Sequence, residues 1–268
     1  MRKRHGIFEA GKKILRNRKL RRVILNLRNS LITTRIPLKL AAVMLRHNAN
    51  KCNNTENYVD LAFNIFNDFR FRPWNIEPAQ VKEEITELMK VLAKRKPRFL
   101  LEIGTARGGT LFLFTRVSTS DALIISVDLP GGLFGGGYPE RRKLLYKSFA
   151  IQKQKMHLIR ADSHALSTLN MVENILEGDK LDFLFIDGDH TYKGVKTDFE
   201  IYSKLVGKGG IIAFHDIVSG PPENVGDVPR FWSETKRSFS YVELVKNWKQ
   251  GGYGIGVIYR DKNGRLQV

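Results

Sequence analysis

The residues with the most chemical potential in this chain are acids and histidines that each follow a short apolar segment. An acid at such a place is often a helix cap, and Asp162 with Ser163 fits that role. Capping can explain one or two of these residues but not the whole set, since one segment after another is followed by them. Carboxylates and imidazoles together can also accept hydrogen bonds, take up protons and bind divalent cations. The residues in question are Asp128, Asp162, Asp187, Asp189, His190, His215 and Asp216.

A turn of small residues, EIGTARGGT (102–110), precedes the first of these acids and leads into a helical pattern. Small residues let the backbone approach a ligand closely, and a helix N-terminus offers free N–H groups. Asp128 follows about 20 residues later, a spacing at which an acid accepts hydrogen bonds from ribose hydroxyls. This pattern favours a nucleotide-containing ligand, and a merely tight turn is the alternative.

The elements that must position these residues are five apolar segments separated by helical patterns. Continuous apolar segments are typical of a parallel sheet covered on both faces, so we predict an α/β, doubly wound, Rossmann-like sheet. Ligands of such sheets bind at the carboxyl ends of the strands. Residues 241–245 and 253–259 lie too close for a helical crossover and are expected to pair as a C-terminal antiparallel hairpin. The five apolar segments are 99–103, 122–127, 156–159, 181–186 and 210–214.

The composition excludes several classes of protein. The chain has 268 residues, of which 42% are hydrophobic, and its single cysteine, Cys52, rules out an internal disulfide framework and favours a reducing compartment. No apolar segment approaches the roughly 20 residues that a membrane-spanning helix needs. A disulfide-rich secreted miniprotein, a collagen-like fibre and a multi-span membrane protein are therefore excluded.

The net charge of +18 is concentrated at the N-terminus, where residues 1–50 hold fourteen Lys/Arg and one acid. We therefore divide the chain into a basic appendage, 1–50, amphipathic or partly disordered, and a domain, 51–268, with a helical lead-in over 58–96. Within the appendage Val23, Ile24, Leu27 and Leu31 follow helical spacing. A basic amphipathic helix suits an anionic membrane surface, here through residues 1–35, or nucleic acid. A solvated tail, or a helix docked on the body or on a second subunit, is the alternative.

The body of the chain resembles class I S-adenosylmethionine-dependent methyltransferases of the family-24 type, related to sugar O-methyltransferases and the cephalosporin hydroxylase group. The resemblance covers roughly residues 75–260. It rests, in order, on LEIGTARGGT, ISVDLPGGLFGGGYP, HLIRADSH, LDFLFIDGDHTYKGVKTDFE, GGIIAFHD, VPRFW and GGYGIGVIY. IDGDHTY with the downstream HD is its most diagnostic part.

The resemblance implies roles for several residues within these motifs. Asp128 would bind the ribose hydroxyls, Asp162 and Ser163 would border the adenine, and Asp187 would face the reaction centre. From the chemistry of their side chains, His190 and Asp189 are candidate bases for a hydroxyl acceptor. The cofactor-binding residues it implies are Glu102, Gly104, Thr105, Ala106, Gly108, Asp128, Leu129, Asp162, Ser163 and Asp187.

A divalent cation, Mg²⁺ or Mn²⁺, is a second expected cofactor. Related metal-dependent O-methyltransferases place acids at the ends of strands four and five, which correspond here to Asp187 and Asp216. His215 beside Asp216 completes the predicted metal set. Because Mg²⁺ prefers oxygen ligands, a histidine there shifts the preference toward Mn, Fe or Zn.

The expected reaction is O-methylation of a hydroxyl on a sugar, a glycan or a small molecule. An RNA or protein methyltransferase that uses the basic arm is the first alternative, and a non-enzymatic nucleotide-binding module is the second. A dinucleotide-binding protein would account only for the glycine turn and Asp128. We further expect a cytoplasmic protein, peripheral at the inner membrane face, with a homo-oligomer as an open possibility.

Overall fold

The fold is organised around one twisted sheet. The computed structural model describes residues 35–67, 72–132, 134 and 137–260, and within them seven strands lie in the order β3-β2-β1-β4-β5-β7-β6. The strands are β1 (Phe99–Ile103), β2 (Leu123–Val127), β3 (Lys155–Ile159), β4 (Leu181–Ile186), β5 (Val206–His215), β6 (Ser240–Leu244) and β7 (Ile255–Tyr259).

Strands β1 to β5 pair in parallel, whereas β7 lies antiparallel between β5 and β6. The order reverses next to β1, which is where a parallel sheet opens a crevice for a ligand. The predicted α/β doubly wound sheet with a C-terminal antiparallel pair is therefore confirmed.

Helices cover both faces of the sheet, which explains why successive residues of its central strands are mostly apolar and buried. In β4, Phe183 and Phe185 pack into one core with α1 to α5, whereas Leu184 and Ile186 pack into the other with α6, α7 and α9. The helices are α1 (Arg35–Ala49), α2 (Thr55–Asn64), α3 (Lys82–Arg95), α4 (Gly109–Val117), α5 (Lys143–Lys147), α6 (Leu166–Leu176), α7 (Tyr192–Tyr202), α8 (Pro222–Val225) and α9 (Val228–Thr235).

Helix α1 joins the body of the fold, in contrast to the boundary at residue 50 expected from the sequence. Leu38, Ala41 and Leu45 recur at helical spacing and are buried in the same core as α2 to α5. The polar segment after α1 is a short turn, in which the side chain of Asn54 caps α2 by accepting the N–H of Asn57 at 2.8 Å. The amphipathic pattern around Val23 lies outside the described residues. None of the helices in the described ranges is long and apolar enough to cross a membrane.

Candidate functional site

A cleft of about 210 Å³ opens at the carboxyl ends of β1 to β4. The loops that follow these strands supply its walls, so residues far apart in the sequence meet there. Among the residues predicted from the sequence, the cleft is lined by Gly104, Ala106, Asp128, Leu129, Asp162, Ser163, Asp187 and Asp189.

The first loop passes directly against the end of β4. Gly104 has φ +87°, and a Cβ there would lie 1.8 Å from the backbone oxygen of Asp187, so this position requires glycine. Two residues later the N–H of Ala106 donates to Oδ2 of Asp128 at 2.9 Å. The loop thus brings the ends of β1, β2 and β4 to one edge of the cleft.

Three of the predicted cofactor-binding residues, Glu102, Thr105 and Gly108, are not among the residues that line the cleft. Glu102 is buried, and its carboxylate accepts hydrogen bonds from the hydroxyls of Thr105 (2.6 Å) and Thr110. Gly108, with φ +82°, packs on the ring of Tyr146, 2.6 Å from where a Cβ would stand. Burial raises the pKa of Glu102 to about 8, with the two threonines opposing the rise. These residues support the loop from below.

Asp128 is the acid at the end of β2. Burial raises its pKa to about 6, while backbone N–H groups, that of Ala106 foremost, oppose the rise. The side chain is therefore held by backbone donors at the cleft wall, where its carboxylate can accept further hydrogen bonds.

Asp162, Ser163 and His164 form a turn at the end of β3. Oδ1 of Asp162 accepts the backbone N–H of His164 at 2.9 Å, so the acid closes this turn. The α6 N-cap is Ala165, which makes no side-chain capping hydrogen bond. His164 also lines the cleft and was not among the residues predicted from the sequence.

Two carboxylates and two imidazoles form a compact cluster beyond β4 and β5. Oδ1 of Asp187 lies 3.1 Å from Nδ1 of His215 and 3.4 Å from Nε2 of His190, and Oδ2 of Asp216 lies 3.4 Å from Nδ1 of each histidine. Nδ1 of His190 also lies 2.5 Å from the carbonyl oxygen of Asn224, which leaves Nε2 as its proton-accepting atom in the neutral ring.

Electrostatics in this cluster favour charged forms despite burial. Burial acts to lower the pKa of His190 and His215, but Asp187 and Asp216 outweigh it, so both are raised, that of His215 well above its usual value. Burial acts to raise the pKa of Asp187, but the charges of His215 and His190 outweigh it and lower that pKa. Opposite charges therefore compensate each other inside the cluster.

The cluster also has the donor atoms of a metal site. One ligand atom each from Asp187, His190 and Asp216 lies within 4.8 Å of the others. The set expected from the sequence contained His215, but the group whose donor atoms meet contains His190 in its place, and Nδ1 of His215 instead lies against Asp187 and Asp216. Mixed carboxylate and imidazole donors fit a divalent cation such as Mn²⁺ or Zn²⁺ better than Mg²⁺.

Asp189 lines the cleft but makes a local turn. Its Oδ1 accepts the N–H of Thr191 at 2.9 Å, just before α7 begins. His190 belongs to the charged cluster, whereas the carboxylate of Asp189 already accepts the hydrogen bond that forms this turn. That hydrogen bond competes with a role of Asp189 as base.

Sequence reasoning missed three contacts of the cluster. Nε2 of Gln80 donates to Oδ2 of Asp187 at 2.8 Å, the N–H of Tyr253 donates to Oδ1 of Asp216 at 3.1 Å, and the ring of Phe134 stacks on His190 with centroids 4.8 Å apart. Phe134 lies in the glycine-rich loop after β2, and that glycine-rich pattern is a sequence feature from which its position near the site could have been predicted. Gln80 and Tyr253 belong to segments without a local pattern.

Comparisons with known proteins identify the class of domain. Residues 101–217 match the family model described as a methyltransferase domain, in agreement with the resemblance to class I methyltransferases of the family-24 type. An uncharacterized protein of Acanthamoeba polyphaga mimivirus is 35% identical over 116 residues, which are 43% of this chain and 50% of the viral protein. The match thus spans half the length of that relative.

Solved structures show the same fold. The O-methyltransferase TomG of Streptomyces achromogenes, which is involved in tomaymycin synthesis and was solved in complex with S-adenosylmethionine, is 16% identical, with a TM-score of 0.52 over 78% of this chain and 91% of that one. A candidate O-methyltransferase of Klebsiella pneumoniae is 15% identical, with a TM-score of 0.50 over 76% and 90% of the two chains.

Proposed function

We propose that this protein transfers a methyl group from S-adenosylmethionine to a hydroxyl group of a sugar, a glycan or a small molecule. The observation that carries the proposal is that one cleft joins Asp128, an acid suited to a ribose, to the cluster around Asp187. A donor site and a proton-accepting site on the same cavity are what an O-methyl transfer requires.

The donor would lie along the carboxyl ends of β1 to β3. In this proposal Asp128 accepts hydrogen bonds from the ribose hydroxyls, and Asp162 with Ser163 borders the adenine. The apolar side chain of Leu129 lines the same part of the cleft. The methionine portion would then extend past Gly104 toward Asp187.

In the transfer, a C–O bond forms to the acceptor while the C–S bond of the sulfonium breaks, which leaves S-adenosylhomocysteine. The proton of the acceptor hydroxyl passes to Nε2 of His190 in its neutral form, which Asn224 and Asp216 hold through Nδ1, and Asp187 and Asp216 then stabilise the imidazolium that results. A divalent cation held by Asp187, His190 and Asp216 would instead lower the pKa of the hydroxyl directly. In both cases, proton transfer to His190 or activation by a cation, Gln80 keeps the carboxylate of Asp187 in place.

We also propose an anionic membrane surface as the partner of the N-terminal side of the molecule. Leu40 and Val43 lie one turn apart on α1 and are 49% and 61% exposed, with Lys39 and Arg46 beside them. Residues 1–34, which precede α1, hold eleven Lys/Arg and one acid. Apolar side chains flanked by cations favour the surface of a membrane with acidic lipids.

Donor binding can be tested by titration calorimetry with S-adenosylhomocysteine. We expect Asp128→Ala to weaken binding at least tenfold, because two hydroxyl hydrogen bonds to a charged group contribute more than about 1.4 kcal/mol. Asp121→Ala is the matched control, since Asp121 precedes the same strand at the opposite edge of the sheet and pairs with Arg98 in solvent. No binding by the wild type would refute the donor assignment.

The acceptor class can be tested with S-adenosylmethionine that carries a radioactive methyl group. Label in hydroxyl compounds, with methyl ethers as the products, supports the proposal. Label in RNA or in protein side chains would establish the alternative reaction instead.

A further inference from the structure

A fully buried carboxylate lies beneath the cleft, outside the cluster around Asp187. The side chain of Asp198, in α7, has no solvent exposure, and its Oδ1 lies 3.3 Å from Nε2 of His164. His164 is about a quarter exposed and lines the cleft. Because a buried charge without a partner is costly, Asp198 depends on this imidazole. Neither the methyl transfer nor the metal set uses Asp198.

Helix α7 holds the turn after β3 through a second contact as well. One helical turn beyond Asp198, the hydroxyl of Tyr202 donates to the backbone oxygen of Ser163 at 2.7 Å. Gly188, in the IDGDH motif, leaves room for this arrangement, because a Cβ there would lie 3.0 Å from Ile103 and 3.4 Å from Oδ2 of Asp198. The turn that carries Asp162 and Ser163 is thus fixed to α7 by one ion pair and one hydrogen bond.

Among the described residues, three carboxylates face His164. Asp198 approaches from α7, Asp162 from the same turn with Oδ1 3.9 Å from Nδ1, and Asp189 from the loop after β4. The contact with Asp198 raises the pKa of His164, with burial opposing the rise. Burial raises the pKa of the Tyr202 hydroxyl, which therefore stays neutral near this group.

The same pair acts on Asp198. Burial raises the pKa of its carboxyl, and His164 and the hydroxyl of Ser163 oppose that rise. The ion pair is complete while His164 carries its proton, and it is lost when the pH rises through the raised pKa of the histidine. Beyond that point Asp198 is a buried carboxylate without its cation.

We propose that His164 and Asp198 form an ion pair that positions the Asp162–His164 turn for the adenosyl donor, so that donor affinity depends on the proton of His164. The inference rests on the proposed function, because it assigns the turn to donor binding. His164 and Asp198 are positioning residues here. When the proton leaves, the turn loses its charged anchor on α7, and donor affinity falls at alkaline pH.

The test is calorimetric titration of the full chain with S-adenosylhomocysteine between pH 6.5 and 9. For the wild type we expect the Kd to rise at alkaline pH by up to about tenfold per pH unit, the limit for loss of one proton. Asp198→Asn keeps the size of the side chain and removes its charge, so it should bind more weakly at pH 7 and lose most of this rise. His164→Gln should do the same.

The control is His157→Gln, which changes an exposed histidine on β3 that does not line the cleft and should retain the wild-type profile. Titration of the ligand's own amino group is common to all variants and cancels in the comparison. A wild-type rise retained in both Asp198→Asn and His164→Gln would overturn the inference. If Asp198→Asn does not fold, His164→Gln decides alone. A wild type that binds no S-adenosylhomocysteine at any pH contradicts the proposed function and the inference with it, whereas binding with a flat profile contradicts the inference alone.

Discussion

Asp187, His190 and Asp216 direct three donor atoms into one small volume, and this is the residue-scale feature with the most direct chemical consequence. A cation there would replace the protons that the two carboxylates now stabilise on the histidines. Metal affinity should therefore fall at acidic pH, because the imidazole must lose its proton to bind.

We predict that Mn²⁺ binds to the wild type and that Asp216→Asn weakens this binding at least tenfold, because a neutral amide replaces a charged ligand. Electron paramagnetic resonance of free Mn²⁺ measures the affinity without any acceptor. Asp189→Asn is the matched control, since Asp189 belongs to the same motif but accepts the N–H of Thr191. Equal Mn²⁺ affinities for Asp216→Asn and the wild type would rule out this site, and transfer that resists a chelator would leave the proton to His190 alone.

A local sequence pattern singled out most acids and histidines that meet at the candidate site, but not the residues that contact them. Asp128, Asp187 and Asp216 each follow an apolar segment, so a local pattern locates them. Asp198 lies within the helical pattern of α7, and Gln80 lies in a turn before α3. Only the packing of distant elements brings these two side chains against Asp187 and His164, which line the cleft, and a single sequence does not contain that information.

At the scale of elements, one buried acid on α3 organises the connection between β6 and β7. Glu84 accepts hydrogen bonds from the N–H of Lys246 (3.0 Å), Nε2 of Gln250 (2.7 Å) and the N–H of Gly254 (2.9 Å). Tyr253, which donates its N–H to Asp216, lies at the end of this loop. The helical lead-in thus sets the position of a loop that borders the reaction centre.

We predict that Glu84→Ala destabilises the fold by about 2–4 kcal/mol, because three buried or half-buried donors lose a charged acceptor. Thermal unfolding followed by circular dichroism measures the change. The neighbouring Glu83→Ala is the control: its ion pair with Lys246 is exposed to solvent, and such pairs contribute little to stability. Similar unfolding temperatures for the two variants would contradict the role given to Glu84.

The sheet was the most predictable part of the fold, and the N-terminal boundary the least. Continuous apolar segments locate β1, β2 and β4 to within about a residue, and the short spacing of the last two strands indicates their antiparallel pairing. The position of β7 between β5 and β6 depends on its pairing with β5, a strand distant in the sequence, so no local pattern reveals it. The charge of residues 1–50 masks the apolar face of α1, whose four buried positions place it in the core.

At the scale of the whole molecule, the basic segment 1–34 directly precedes in sequence a helix, α1, that exposes apolar side chains. Helix α1 packs with the layer that covers one face of the sheet, and α6 belongs to the layer on the other. Leu40 and Val43 on α1 can each contribute about 1.5–3 kcal/mol when they are fully buried, and each nearby Lys or Arg adds about 1 kcal/mol at an anionic surface. If residues 1–34 met such a surface, their eleven basic residues would make the electrostatic part the larger one.

We therefore predict that the full chain floats with vesicles that contain acidic phospholipid and does not float with neutral phosphatidylcholine vesicles. Deleting residues 1–34 should abolish flotation, and Leu40→Ser with Val43→Ser should reduce it severalfold by removing the apolar contact. Leu166→Ser with Met171→Ser is the matched control, because these side chains are exposed on α6, in the opposite layer. Flotation that is lost equally in both double variants would mean that the apolar side chains act without regard to position. Absence of flotation together with salt-sensitive retention of RNA would assign the basic segment to nucleic acid instead.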